Sequence, residues 1–161
     1  MARNLTVSGL DLLFDQLRAA EAKCQDVAAK GVYVGAGIIA DEVRRQINSI
    51  QTAQHGVSIG DVRLPTDAEK AILQQEHVMG IVPFTKNGAD VSTVIGIRQD
   101  SGYAYIGKRR VPVPLIARSI EHGTSFMRKT PFFRTAVNRS KKEAKQATTQ
   151  YIERSLQDIL K

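Results

Sequence analysis

Between Ile120 and Ala136 the chain reads I-E-H-G-T-S-F-M-R-K-T-P-F-F-R-T-A, a stretch that dictates two element ends within seventeen residues. Gly123 can stop the preceding element, because only glycine takes a positive φ cheaply. Thr130 and Pro131 can open the next one as N-cap and first helical residue. The loop Ser125 to Thr130 is therefore fixed at both ends. Adjacent helix positions point about 100° apart, so Phe132 and Phe133 cannot enter one pocket. One is expected in the core, worth about 1.5–3 kcal/mol when buried, and the other over a sheet edge or a second subunit. The alternative, with both rings in the core of one subunit, carries equal weight. Glu121 and Arg134 flank the loop and are expected to pair across it or across a subunit boundary.

Downstream of Pro131 there is no further proline or glycine. Phe133, Val137, Ala144, Ala147, Tyr151, Leu156 and Ile159 mark an apolar stripe on a helix that would reach about 45 Å at ~1.5 Å per residue. Such a length predicts that part of it packs on another subunit or frays. At the other end, Leu5–Val7 reads as a short strand or cap and Ser8 with Asp11 as a helix start. Leu10, Leu13, Phe14 and Leu17 form one amphipathic stripe. A second set, Val27, Val34, Ile38, Ile39, Val43 and Ile47, predicts a longer helix bent near Gly31, Gly35 or Gly37.

Residues 48–66 lack periodicity and read as loop. Thr66 with Glu69 forms a capping-box pattern, followed by a short helix in which Ala68, Ile72 and Leu73 share a face. Met79–Thr85 and Val91–Arg98 are β-branched runs around Asn87-Gly88, a hairpin pattern. Gly102–Ile106 adds a third strand, and Pro112 and Pro114 exclude a central strand after it. Leu115, Ile116, Ser119 and Ile120 are spaced for a short helix beginning after Pro114 and ended by Gly123. No linker divides these elements. The expectation is a single α+β domain over 1–161, with a small antiparallel sheet of about three to four strands packed against helices and a long C-terminal helix.

A hydrophobic content of 42% with only 6% aromatics and no tryptophan implies a modest, mainly aliphatic core. The net charge of +7 is unevenly placed. Residues 1–97 hold nine Lys or Arg against eleven Asp or Glu, net −2, while residues 98–161 hold fourteen against five, net +9. A solvated basic face explains such a bias without a partner, and DNA phosphate or an acidic protein ring explains it with one. Lys108, Arg109 and Arg110, placed at a break in the chain, are the candidate loop contact. Lys141, Lys142 and Lys145 are the candidate exposed helix face. Few aromatic residues interleave with these cations, so the pattern does not favour stacking on single-stranded bases.

Signals for catalysis are weak. Gly35-Ala-Gly37-Ile-Ile-Ala40 has the letters of a dinucleotide fingerprint, but no βαβ unit follows it, and small residues there suit close helix packing better. His55, His77 and His122 fall in different elements without metal-ligand spacing, so no metal, cofactor or catalytic residues are assigned. Ser101 and Ser125 lack a nucleophile-elbow context. Cys24 is the only cysteine, which excludes an intrachain disulfide and reads as a small, half-buried helix residue. No apolar run approaches the ~20 residues of a membrane span. The start M-A-R-N-L-T-V-S lacks a secretory apolar stretch, so a cytosolic protein without membrane partners is expected.

The 120–136 segment resembles the signature of the phage head-to-tail joining family, the small neck or tail-completion proteins of long-tailed phages and prophages. That pattern runs from an acidic residue through Gly-Thr-Ser and a variable basic loop to Pro-Phe-hydrophobic-Arg-x-Ala at the start of a last helix. Glu121, Gly123, Thr124, Ser125, Pro131, Phe132, Phe133, Arg134 and Ala136 fit it in order. His122 stands where Phe or Tyr is common, and Thr135 where Pro is common. The resemblance implies a compact α+β subunit that assembles into a ring, joined to portal, adaptor or tail-tube neck proteins, with DNA in the channel. It also implies a place in the virion neck or tail, and in the host cytoplasm during assembly. Glu121, Gly123, Thr124, Ser125, Phe126, Arg128, Pro131, Phe132 and Arg134 become the candidate subunit or partner interface. The runner-up is a small basic DNA-binding protein that uses the C-terminal helix.

Overall fold

A computed structural model describes residues 10–53, 58–59, 62–88 and 90–159. The expected Leu5–Val7 strand and the Ser8 helix start lie outside them. Helix α1, Leu10–Asn48, is one element of 39 residues covering both expected helices. Gly31 and Gly35 serve close packing. A Cβ on Gly31 would stand 2.7 Å from Ile152, and one on Gly35 would stand 3.2 Å from the carbonyl oxygen of Ala144. Gly31 meets Thr148 and Ile152 while Gly35 meets Ala144 and Thr148, so α1 runs antiparallel to the C-terminal helix.

That C-terminal helix, Phe132–Ile159, is α4. Within the same chain α1 packs along it. Its deepest stripe is Phe132, Ala136, Ser140 and Ala144, all buried at intervals of four, with Phe133, Val137, Ala147, Tyr151 and Leu156 half-buried beside it. Ser140 tolerates burial because its hydroxyl donates to the carbonyl of Ala136 at 2.8 Å.

In chain order the small elements come between the long helices. Ser58–Ile59 (β1) pairs with Val62–Arg63 (β2), antiparallel, inside the stretch expected to be loop. Helix α2, Asp67–Leu73, starts as expected at Thr66, with both halves of the capping box made. Its inward face differs from the expected one, since Ala68 is exposed while Glu69 and Leu73 are buried.

The chain is α+β as expected, with its strands paired two by two. Met79–Ile81 (β3) pairs with Ile95–Ile97 (β6), and Thr85–Asn87 (β4) with Asp90–Ser92 (β5). The expected hairpin is thus split into two ladders, bridged by the bond from the Val82 N–H to the Val94 carbonyl. Tyr103–Ile106 (β7) pairs with Arg109–Pro112 (β8) in a second hairpin. Arg109 and Arg110, expected at a break, therefore lie in a strand. β8 has a single partner, so Pro112 removes no ladder bond from a second neighbour.

Helix α3, Val113–His122, starts one residue before Pro114 and ends at Gly123. The core between these layers is mostly aliphatic, with Val43, Ile47, Leu73, Val78, Val113, Ile116, Ile120 and Met127 packed against Phe132 and Ala136.

Candidate functional site

The loop between α3 and α4 is tied at every second or third residue. Gly123 takes φ 75° and its N–H donates to the Ser119 carbonyl at 2.9 Å. A side chain there would meet the backbone of Lys129 at 3.0 Å, so both conformation and space demand glycine. Thr124 and Met127 exchange backbone hydrogen bonds, closing a tight turn over Ser125 and Phe126. The next ties come from β2: the Arg63 N–H donates to the Phe126 carbonyl at 2.9 Å, and the Arg128 N–H to the Arg63 carbonyl at 2.8 Å. The Thr130 N–H returns to Ile120 at 2.8 Å.

The start of α4 is capped from another helix. Glu121 accepts the N–H of Phe133 at 2.8 Å and that of Arg134 at 3.0 Å. The capping role expected of Thr130 thus falls to a carboxylate at the end of α3, where negative charge also suits the helix dipole. Glu121 and Arg134 meet through the backbone of Arg134, and the expected side-chain pair is replaced by this cap. Pro131 immediately precedes α4 and receives the N–H of Thr135. Phe132 is buried in the core, while Phe133 packs against it half-buried. Both rings are used within one chain.

What the mount presents is the turn. Met127 is buried at 3% exposure, whereas Phe126 beside it is 59% exposed. Ser125, Arg128 and Lys129 are exposed, and Thr124 half-buried. Phe126 also borders a groove of about 370 Å³ lined by Leu115, Ile106, Val111 and Arg109. One member of the basic triplet therefore shares a groove with the loop. Lys108 and Arg110 are exposed on the same hairpin. Lys141, Lys142 and Lys145 are exposed on α4, two to three turns beyond Arg134, or about 10–16 Å along the axis.

The floor of the groove is an ion pair that sequence reasoning passed over. Arg63 grips Glu69 with two nitrogens at 2.7 and 2.6 Å. Burial alone would raise the Glu69 carboxyl. The Arg63 bonds, the Thr66 N–H at 2.8 Å and the Arg63 charge outweigh it and hold the group below its ordinary value. In Arg63 the bond to Glu69 outweighs burial and raises the guanidinium. The capping box announced Glu69, but nothing local links Arg63 to both Glu69 and the loop.

The glycine pattern of α1 has a structural explanation. Gly35–Ala40 lies within α1, so no strand–turn–helix forms there. Cys24 is exposed on α1, correcting its half-buried reading. His55 lies outside the described residues. Among the described residues no three His, Cys, Asp or Glu side chains gather as a metal site, and no helix is long and apolar enough to cross a membrane. Comparison with protein-family models, curated proteins and solved structures finds no significant match.

Proposed function

We propose that this chain is a structural protein of the phage head-to-tail connector or tail-completion ring, acting in the virion neck or tail by assembly. The observation that carries the reading is the mount of the 124–130 loop. Buried Met127 and Phe132 anchor it, Glu121 and Arg63 tie its two sides, and an exposed Phe126 stands at its tip. A soluble chain gains nothing for its own core from an exposed ring on a rigid loop, whereas an interface gains a pre-ordered apolar anchor at little entropic cost. The exposed Arg128 and Lys129 beside it favour an acidic surface on the facing subunit or neck protein.

Phe126→Ser tests this better than a change at Phe132, which would damage the core. In the phage or prophage encoding the chain, Phe126→Ser should leave the protein folded while heads and tails accumulate unjoined. Normal yields of tailed particles from that variant would refute the proposed contact.

A further inference from the structure

The β7–β8 hairpin sets aromatic and cationic side chains from one eight-residue stretch, Tyr103 to Arg110, against one another. Tyr103 and Tyr105 are 58% and 71% exposed on the outer face of β7. The register places Arg110 directly opposite Tyr105, and its guanidinium lies 4.0 Å from the centre of the Tyr103 ring. Gly107, at φ 61°, turns the chain and leaves Lys108 exposed at the tip. From Ser101 to Ile120 there is no acidic residue. Among the described residues none of Lys108, Arg109 and Arg110 has an ion-pair partner.

We infer that this outer face binds an unpaired nucleic-acid strand, with its phosphates on Lys108 and Arg110 and a base stacked on Tyr105. Alternate residues of a strand share one face about 6.8 Å apart, so the two rings form a short platform flanked by unneutralised cations. That combination is how single strands are held without sequence preference. A duplex hides its base faces and would use the cations but not the rings. An acidic protein surface would likewise satisfy the cations and leave Tyr105 idle. The inference does not rest on the assembly reading, because the hairpin face is complete within one chain.

The test measures anisotropy of a fluorescein-labelled oligothymidine of about 12 nucleotides, and of a duplex of equal length, titrated with the full chain at low and moderate salt. The single strand should bind more tightly than the duplex. Tyr105→Ala should weaken it at least about fivefold, and Tyr105→Phe should restore it. Arg110→Gln should lower the salt slope by about one. Intrinsic tyrosine emission should fall on saturation in wild type and fall less in Tyr105→Phe/Tyr103→Ala. Equal affinity for single strand and duplex with no effect of Tyr105→Ala would overturn the inference, as would absence of binding. Equal binding of poly-glutamate, the acidic-protein outcome, would overturn it too. Unchanged circular dichroism of each variant separates these results from misfolding.

Discussion

Glu69 and Glu121 each receive backbone N–H groups at the start of a helix, but over very different spans of chain. Glu69 sits at the third position of α2 and reaches back three residues to Thr66. Glu121 sits at the end of α3 and reaches forward twelve and thirteen residues to Phe133 and Arg134. The local cap fixes one helix. The distant one fixes two helices and everything between them, which is why the loop bearing Phe126 is held as a unit. Both regions also lean on Arg63, whose side chain holds Glu69 and whose backbone holds the loop.

The largest effect is expected at Glu69. Its side chain is 1% exposed, and Glu69→Ala strands a part-buried Arg63 as well as removing the carboxylate half of the capping box, costing about 3 kcal/mol in urea unfolding. The same carboxylate gives a pH dependence. Its folded value is lowered from the ordinary 4.5, so its contribution is complete above that pH and disappears as pH falls through the lower folded value. Glu69→Gln should flatten the acid limb of the stability curve, and an unchanged limb would remove Glu69 from that role.

A smaller loss, about 1–2 kcal/mol, is expected for Glu121→Ala, which removes two charge-assisted cap bonds from a half-exposed site. Hydrogen exchange distinguishes the two carboxylates. Glu121→Ala should speed exchange at Phe133 and Arg134 and through the loop, while leaving α2 protected. Equal loosening of both regions would erase the contrast between a local and a distant cap. The smallest effect belongs to Arg134→Ala, within about 0.5 kcal/mol, because Glu121 uses the Arg134 N–H and the guanidinium is dispensable. A loss as large as that of Glu121→Ala would restore the side-chain pair.

Features set within a few residues were legible in the sequence. The Thr66–Glu69 box, the Gly123 stop and the turn near Asn87-Gly88 each depend on neighbours along the chain. The α+β class followed from the change of hydrophobic period, and the exposed loop cations from their place between two stops. Features requiring partners far away in sequence were not legible. Gly31 and Gly35 read equally well as bends until Thr148 and Ile152 fill the space beside them. Thr130 looked like the cap of α4 because nothing in the spacing announces a carboxylate from α3. The tyrosines near the basic triplet were visible in the sequence, but which of them shares a face with Arg110 is set by the β7–β8 register, which places Tyr105 opposite it.

The central claim is that the clamped loop exists to join copies of this chain, or this chain to a neck partner. Light scattering of the purified full chain, alone and mixed with portal or tail-tube protein, measures that directly. The account predicts a closed, multi-subunit mass in at least one of these conditions, lost in Phe126→Ser without a change in melting temperature. A single-chain mass in every condition, or a ring indifferent to Phe126→Ser, would contradict it.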